Sequence, residues 1–279
     1  MLKVVTPGFY TTIQDLGRWQ WRHKGVPVSG TMDDIARHHV NTLLENPVSA
    51  AVLEITMTGP KVVFETENFF CLTGADLSPT LNEAPIQNYQ VYKVKAGDVL
   101  SFGRLRQGFR SYLGIKGGFQ APMVLESVSQ YFPITPQKKI IEGEEIHYNP
   151  IKEFEPKISQ IKTEDYLEEK EITVTYGPEI AILTVEQKQM IFEMEFTVSK
   201  ENNRMAYQLQ EKIGEHAHSM LTSAVLPGTV QMTPAGQLIV LMKDGQTTGG
   251  YPRILQLSDK AIAILAQKKS GDTIRFKKS

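Results

Sequence analysis

A single cysteine in 279 residues leaves no intrachain disulfide framework to hold this chain together. That thiol, Cys71, sits in the run Asn68-Phe69-Phe70-Cys71-Leu72-Thr73, where a strand points it into a core, and no nearby histidine or base is at hand to activate it. An excess of charge is missing too. Lys and Arg number 30 against 31 Asp and Glu, which excludes a field able to gather nucleic acid or anionic lipid. No apolar run is long enough to span a bilayer, and Met1 to Pro7 lacks the apolar stretch of a secretory leader, so the expected location is the cytoplasm, with no membrane partner. The histidines His23, His38, His39, His147, His216 and His218 are scattered; His216-Ala217-His218 is a weak chelate, and no metal site is expected. A Walker loop, a dinucleotide fingerprint and a Gly-x-Ser-x-Gly elbow are all absent.

What is present reads as β structure. Short β-branched or aromatic runs alternate with Gly, Pro, Asn and Asp turns, and predict strands over Val52 to Thr56, Lys61 to Glu65, Phe69 to Thr73, Gln90 to Val94, Val99 to Phe102 and Arg110 to Ile115. One helix interrupts them, from about Met32 to Leu44, with Asp33 near its start and Pro47 beyond its end. A charged stretch then leads to a second half. Its strands are expected at Ile172 to Tyr176, Glu195 to Val198, Thr229 to Met232, Leu238 to Leu241, Arg253 to Gln256 and Thr273 to Phe276. Helices are expected at Val185 to Phe192, with Thr184 and Gln187 as a capping box, and around Ser258 to Gln267. The boundaries drawn are 1–150 for an N-terminal β unit, 151–171 for a solvated connector ending in the acidic run Glu164 to Glu171, and 172–279 for a C-terminal β unit. An echo links the halves: Lys95-Ala96-Gly97-Asp98-Val99-Leu100-Ser101-Phe102 resembles Lys269-Ser270-Gly271-Asp272-Thr273-Ile274-Arg275-Phe276, and Glu142-Gly143-Glu144-Glu145-Ile146-His147-Tyr148 is a weaker third copy.

Candidate chemistry concentrates in a few polar stretches. Asp244-Gly245-Gln246-Thr247-Thr248-Gly249-Gly250-Tyr251-Pro252 follows an apolar strand and offers a carboxylate, an amide, hydroxyls and glycines that let backbone approach a ligand. The same groups are equally able to satisfy their own backbone in an Asx-type turn. Upstream, Asn202 to Leu209 alternates so that Arg204, Ala206 and Gln208 share one strand face while Met205, Tyr207 and Leu209 share the other. Arg204 there is a fork for a ligand carboxylate or phosphate, or half of an intramolecular ion pair. Gln14 and Arg18 in Thr11 to Arg18, and Ser29 in Val26 to Asp33, lie in turn-rich stretches near the first helix, whose free amides form either an anion seat or an ordinary cap.

Seven segments carry a resemblance: Pro7-Gly8 to Gly17-Arg18, Gly25 to Gly30, Leu53-Glu54-Ile55-Thr56, Leu72 to Asp76, Arg204-Met205, Pro227 to Gln231 and Gln246 to Pro252. Together they resemble the allophanate hydrolase subunit 2 family, which includes the C component of ATP-dependent 5-oxoprolinase, a Kip-type antagonist of a kinase inhibitor, and part of the urea carboxylase carboxyltransferase domain. The resemblance implies a mainly β chain of two cyclophilin-like β-barrel units in tandem with a few short helices. It further implies a B-type (Kip inhibitor-like) partner protein, an A-type partner protein, and a small amide or lactam substrate. The activity implied is ATP-dependent opening of 5-oxoproline to glutamate, with ATP and Mg in the assembled complex. The alternatives are a non-catalytic regulator and a biotin-dependent carboxyltransferase. On this reading Asp244 and Asp76 are candidate bases or orienting groups and Arg204 faces an anionic group. Gln246, Thr247, Thr248, Gly249, Gly250, Tyr251, Tyr207, Ser29, Gln14 and Arg18 bind substrate. The chain departs from the family in reading Arg204-Met205-Ala206-Tyr207 where Arg-Met-Gly-Tyr is usual. It also departs at Leu125 to Pro136, which lacks the arginine and glycines of a Gly-Ser-Arg-Ser/Ala-Thr segment.

Overall fold

Short β-branched and aromatic runs between turn residues build this architecture, and successive side chains of each strand point to opposite faces of its sheet. The computed structural model describes residues 1–163 and 165–279. Its strands are β1 (Leu2–Thr6), β2 (Tyr10–Gln14), β3 (Val52–Thr56), β4 (Lys61–Phe64), β5 (Asn68–Asp76), β6 (Thr80–Leu81), β7 (Ala84–Pro85), β8 (Val91–Val94), β9 (Val99–Ser101), β10 (Gln107–Ile115) and β11 (Glu145–Ile146), followed by β12 (Glu171–Tyr176), β13 (Phe196–Asn202), β14 (Ala206–Lys212), β15 (Ser223–Ala224), β16 (Thr229–Met232), β17 (Gln237–Leu241), β18 (Thr248–Gly249), β19 (Arg253–Leu257) and β20 (Thr273–Lys278). The helices are α1 (Asp34–Leu43), α2 (Val185–Glu193) and α3 (Asp259–Ala266), with short 3₁₀ turns at Trp19–Lys24 and Ile180–Ile182. Among the described residues no helix is long and apolar enough to cross a membrane.

The chain divides into two compact units that differ from the boundaries drawn from sequence. Residues 1–17 and 29–167 form the first, and residues 18–28 and 168–279 form the second. Part of the expected connector therefore belongs to the first unit. Ile151, Phe154 and Ile161 pack against a cluster containing Phe69 and Cys71, and Tyr166 is buried: apolar residues spaced through a charged stretch anchor it. Glu164 lies outside the described residues.

In the first unit the strands make two sheets rather than a closed ring, a six-stranded one in the order β11-β1-β4-β9-β6-β7 and a five-stranded one in the order β2-β3-β10-β5-β8. Leu2, Val4, Val62, Phe64, Leu53, Ile55, Phe70, Leu72 and Leu113 share a core built from strands of both. Irregular segments seal the edges of the five-stranded sheet, which matters because a bare edge is a template for unwanted pairing. Gln130 N donates to Ile13 O at 2.9 Å and Ile140 N to Thr11 O at 2.9 Å along β2. Along β8, Val91 N donates to Ser159 O at 3.0 Å.

The second unit is a closed barrel in the order β12-β19-β16-β17-β14-β13-β20, and the parallel pair β12–β20 completes the ring. Tyr207, Leu209, Val230, Val240, Leu255 and Ile274 are fully buried. α2 begins with the expected capping box, Gln187 N donating to Thr184 Oγ1 at 3.2 Å while Thr184 N donates to Gln187 Oε1 at 3.0 Å.

The sequence echo is one turn built three times. Gly97 N donates to Phe64 O at 2.7 Å, Phe64 N donates to Asp98 O at 2.9 Å, and the Asp98 carboxylate accepts from Lys95 N at 2.8 Å. In the barrel, Gly271 N donates to Val198 O, Val198 N donates to Asp272 O, and the Asp272 carboxylate accepts from Lys269 N, each at 2.9 Å. Gly143, Val4, Glu144 and Ile141 repeat the pattern, again at 2.9 Å throughout. The glycines have φ of 91°, 90° and 78°, a left-handed region that favours glycine.

Candidate functional site

In the barrel, the loop after β17 is held from both sides. Met242 N donates to Met205 O at 2.9 Å, Asp244 N to Arg204 O at 2.8 Å, and Gly245 N to Met242 O at 3.0 Å. Arg204 then forks onto Asp244, with Nε 2.8 Å from Oδ2 and Nη2 3.0 Å from Oδ1. The expected alternation fails at this point. Arg204 is 5% exposed and Met205 49%, because the Asn203 carboxamide accepts from Met205 N at 2.7 Å and Ala206 N at 3.2 Å, turning the chain before β14 starts. A buried guanidinium is tolerated because it has a carboxylate. Asp244 thereby serves as the counter-ion of Arg204, not as an open base.

The remaining loop positions divide by exposure. Thr248, Gly250 and Tyr251 are exposed, Thr247 is half-buried, and the short strand Thr248–Gly249 pairs with Ser223–Ala224. Val225 N donates to Thr247 O at 3.1 Å, and the Arg22 guanidinium donates to the Val225 carbonyl. Gln231 Nε2 holds Tyr251 O at 3.1 Å. Arg253 fixes the far end, donating to Ala224 O at 2.7 Å and to both oxygens of Glu179 at 2.7 and 2.8 Å; these bonds hold the Glu179 carboxyl below its ordinary range. Gln246 Oε1 is buried and meets no protein donor. Tyr207 is fully buried in the barrel, its hydroxyl donating to Lys268 O at 3.2 Å. Arg18 is buried, with its backbone N–H on Val28 O at 2.6 Å.

Asp76 lies in the other unit. It ends β5, accepts from Ser78 N at 2.7 Å and stands 3.9 Å from Arg106, in the role of a turn residue. Ser29 is not a helix cap. Asp33 is, accepting from Ala36 N at 3.0 Å, so an acid already occupies the expected anion seat. Ser29 instead has φ 57° and a buried hydroxyl without a protein partner.

A second polar constellation comes from strand parity and was not found from sequence. Thr12 lies opposite Glu54, Glu54 opposite Tyr112, and Tyr112 opposite Thr73, so one face of the five-stranded sheet carries a polar row. Thr56 and Arg110 flank that row, and Gln14 continues it on β2. The opposite face holds Ile13, Leu53, Leu113 and Leu72 in the core. Every member of the polar row is buried. Glu54 Oε2 accepts from Tyr112 Oη at 2.9 Å and from Met32 N at 2.7 Å, and Arg110 Nε stands 3.8 Å from Glu54 Oε1. Tyr112 Oη accepts from Asp33 N at 2.9 Å, and the Asp33 carboxylate accepts from Tyr166 Oη at 2.6 Å. Burial first, then the charges of Glu54 and Asp33, raises the Tyr112 phenol well above its usual range; burial and Asp33 do the same to Tyr166, and burial pushes Tyr89 up to about 12. These phenols are permanent donors at physiological pH. The signal in the sequence was a glutamate and a threonine at alternate positions of the otherwise apolar strand Val52 to Thr56.

Comparison with known proteins follows the same lines. The family model for the carboxyltransferase domain, subdomain A and B, matches residues 24–278. The C component of 5-oxoprolinase from Escherichia coli (strain K12) is 33% identical over 99% of this chain and 90% of its own length. That of Haemophilus influenzae is 32% identical, again over 99% of this chain and 90% of its own. The solved K. lactis urea amidolyase superposes with a TM-score of 0.89 at 28% identity over 99% of this chain, which spans 18% of that much longer protein.

Proposed function

Because the chain belongs to the carboxyltransferase-domain family (subdomains A and B), we propose that it is the C-type component of a complex that opens 5-oxoproline to glutamate at the expense of ATP, alongside A- and B-type proteins. The observation that carries this reading is the end-to-end match with the C component of bacterial 5-oxoprolinase, 99% of this chain against 90% of that one. A match to one domain alone would not distinguish a whole component from a fragment.

The chemistry demanded is activation of an unstrained amide, whose oxygen must be made a leaving group or have its developing charge met by fixed donors before water can attack. In this chain the polar sheet row holds Arg110 beside the Glu54 carboxylate, while the one hydroxyl hydrogen of Tyr112 is given to Glu54. A resident Mg²⁺ does not fit the described residues: no three His, Cys, Asp or Glu side chains gather as a metal site among them, and Asp33, Glu54 and Asp244 are already engaged by hydrogen-bond donors. On this proposal the nucleotide and the metal are bound by the partner proteins.

The test is reconstitution. Co-purified with A- and B-type proteins, this protein should support ATP-dependent glutamate release from 5-oxoproline, and omission of it should abolish release. Equal turnover without it would overturn the proposal. The likeness to urea amidolyase supports a second reading, carboxyl transfer from a biotin-carrying chain to a urea-like amide. Co-purification with a biotinylated protein in place of A- and B-type proteins would favour that reading. Tight binding of a B-type protein with no turnover in any assembly would favour a regulator.

A further inference from the structure

The last residue of β2, Gln14, is fully buried, and its carboxamide has a fixed polarity. Nε2 donates to Thr12 Oγ1 at 3.0 Å and to the backbone carbonyl of Gln130 at 3.2 Å. A carbonyl oxygen only accepts, so the flipped amide would set two acceptors against each other. The orientation is therefore determined, and Oε1 points away from Thr12 Oγ1 and the Gln130 carbonyl. Oε1 is buried and meets no protein donor. Buried polar atoms without a partner are rare, and each calls for a reason.

The diverged segment supplies the orientation. The Asp15 carboxylate gathers Ser127 Oγ and Ser129 Oγ at 2.6 Å each, with Gly17 N and Val128 N at 2.8 Å each. Asp15 N returns a bond to Ser129 Oγ at 3.0 Å, and the Gln130 side chain accepts from Ile13 N at 3.1 Å. Val128 turns into the apolar core. Residues 127–130 are thus clamped to β2, and the Gln130 carbonyl is held where it fixes Gln14. The stretch carrying Ser29 passes alongside. Thr31 N donates to Asp15 O at 3.0 Å, Met32 N to Glu54 Oε2 at 2.7 Å, and Gly30 runs so close that a Cβ there would lie 2.9 Å from Leu16 C and 3.0 Å from Gly17 N.

We propose that the amide oxygen of Gln14 accepts the N–H of an amide or lactam ligand, and that Asp15, Ser127, Ser129 and Gln130 are positioning residues for this contact. The ligand class rests on the function proposed above, whereas the acceptor polarity rests on the geometry alone. The site's seclusion from bulk water strengthens each hydrogen bond and makes entry depend on a local opening, so association is slow.

The test uses the full chain, titrated with 2-pyrrolidinone and with N-methyl-2-pyrrolidinone, which lacks the N–H. Affinity by calorimetry and the side-chain amide signals of Gln14 by NMR are the readouts. A site built to bond an N–H rejects the analogue lacking it, and the expected preference is about tenfold or more. Gln14→Met removes the preference. The double change S127A/S129A, judged folded by circular dichroism, reduces it while leaving Gln14 in place. Equal affinity for the two lactams, or no movement of the Gln14 amide signals at saturation, overturns the proposal, and neither result depends on a variant that folds. In the reconstituted complex, an unchanged kcat/KM for Gln14→Met would overturn this inference and leave the proposed function standing. Lactam selectivity in the chain with no hydrolysis in the complex would do the reverse.

Discussion

The Arg204 guanidinium and the Asp244 carboxylate form a two-point fork, at 2.8 and 3.0 Å, with side chains only 6% and 10% exposed. Removing the acid leaves a buried cation without that fork, so Asp244→Ala is expected to lower stability by about 3 kcal/mol. Arg204→Lys keeps the charge but loses the fork and should retain most of that loss. Urea unfolding of each variant checks this. A fully stable Asp244→Ala that had lost activity would instead indicate a base.

The three recurring turns predict equal penalties. A methyl added at Gly97, Gly143 or Gly271 meets nothing within 4 Å, so only backbone conformation is at stake. Each glycine-to-alanine change should cost about 1 kcal/mol, with the three values agreeing to within a few tenths. Denaturant midpoints measured in parallel would expose any turn that does not conform.

Acid should weaken the barrel through Glu179. Its hydrogen bonds from Arg253 hold the folded carboxyl below the unfolded value, so this stabilisation is complete above the usual glutamate range, about 4.3. It is lost as pH falls through the lower folded value. Glu179→Gln should therefore be less stable than wild type at neutral pH and show a flatter decline between about pH 5 and 3. Unfolding curves across that range, compared between the two proteins, give the result; parallel declines would count against it.

Burial raises the Cys71 thiol far above its ordinary range, and the side chain is fully enclosed. In native buffer it should react with a thiol reagent only as fast as the first unit opens, and a denaturant that unfolds the chain should bring the rate to that of free cysteine. Rapid labelling of the native protein would contradict the packing described.

Strand positions were legible because short β-branched runs lie between turn residues: Val52–Thr56 and Thr229–Met232 lie where those runs put them, although both are buried throughout. The Thr184 cap was legible for the same local reason. What alternation does not carry is pairing between strands. Thr12, Glu54 and Tyr112 are far apart in sequence and become one row only through register. Arg204 misled differently, since a side chain carboxamide one residue earlier ends the alternation. The Leu125 to Pro136 stretch looked like a loss, yet its serines hold β2 in place by bonds that no local pattern announces.

Residues 18–28 belong to the second compact unit, although residues 1–17 and 29–167 make the first. For a ribosome this means that an early piece of chain must wait, unhoused, while the whole first unit and then the barrel are synthesised. Cutting the gene at the codon for Glu168 would separate those residues from the unit they serve. The two units are thus inherited together as one folding problem, and exchange of one without the other between related genes requires a splice at three places rather than one.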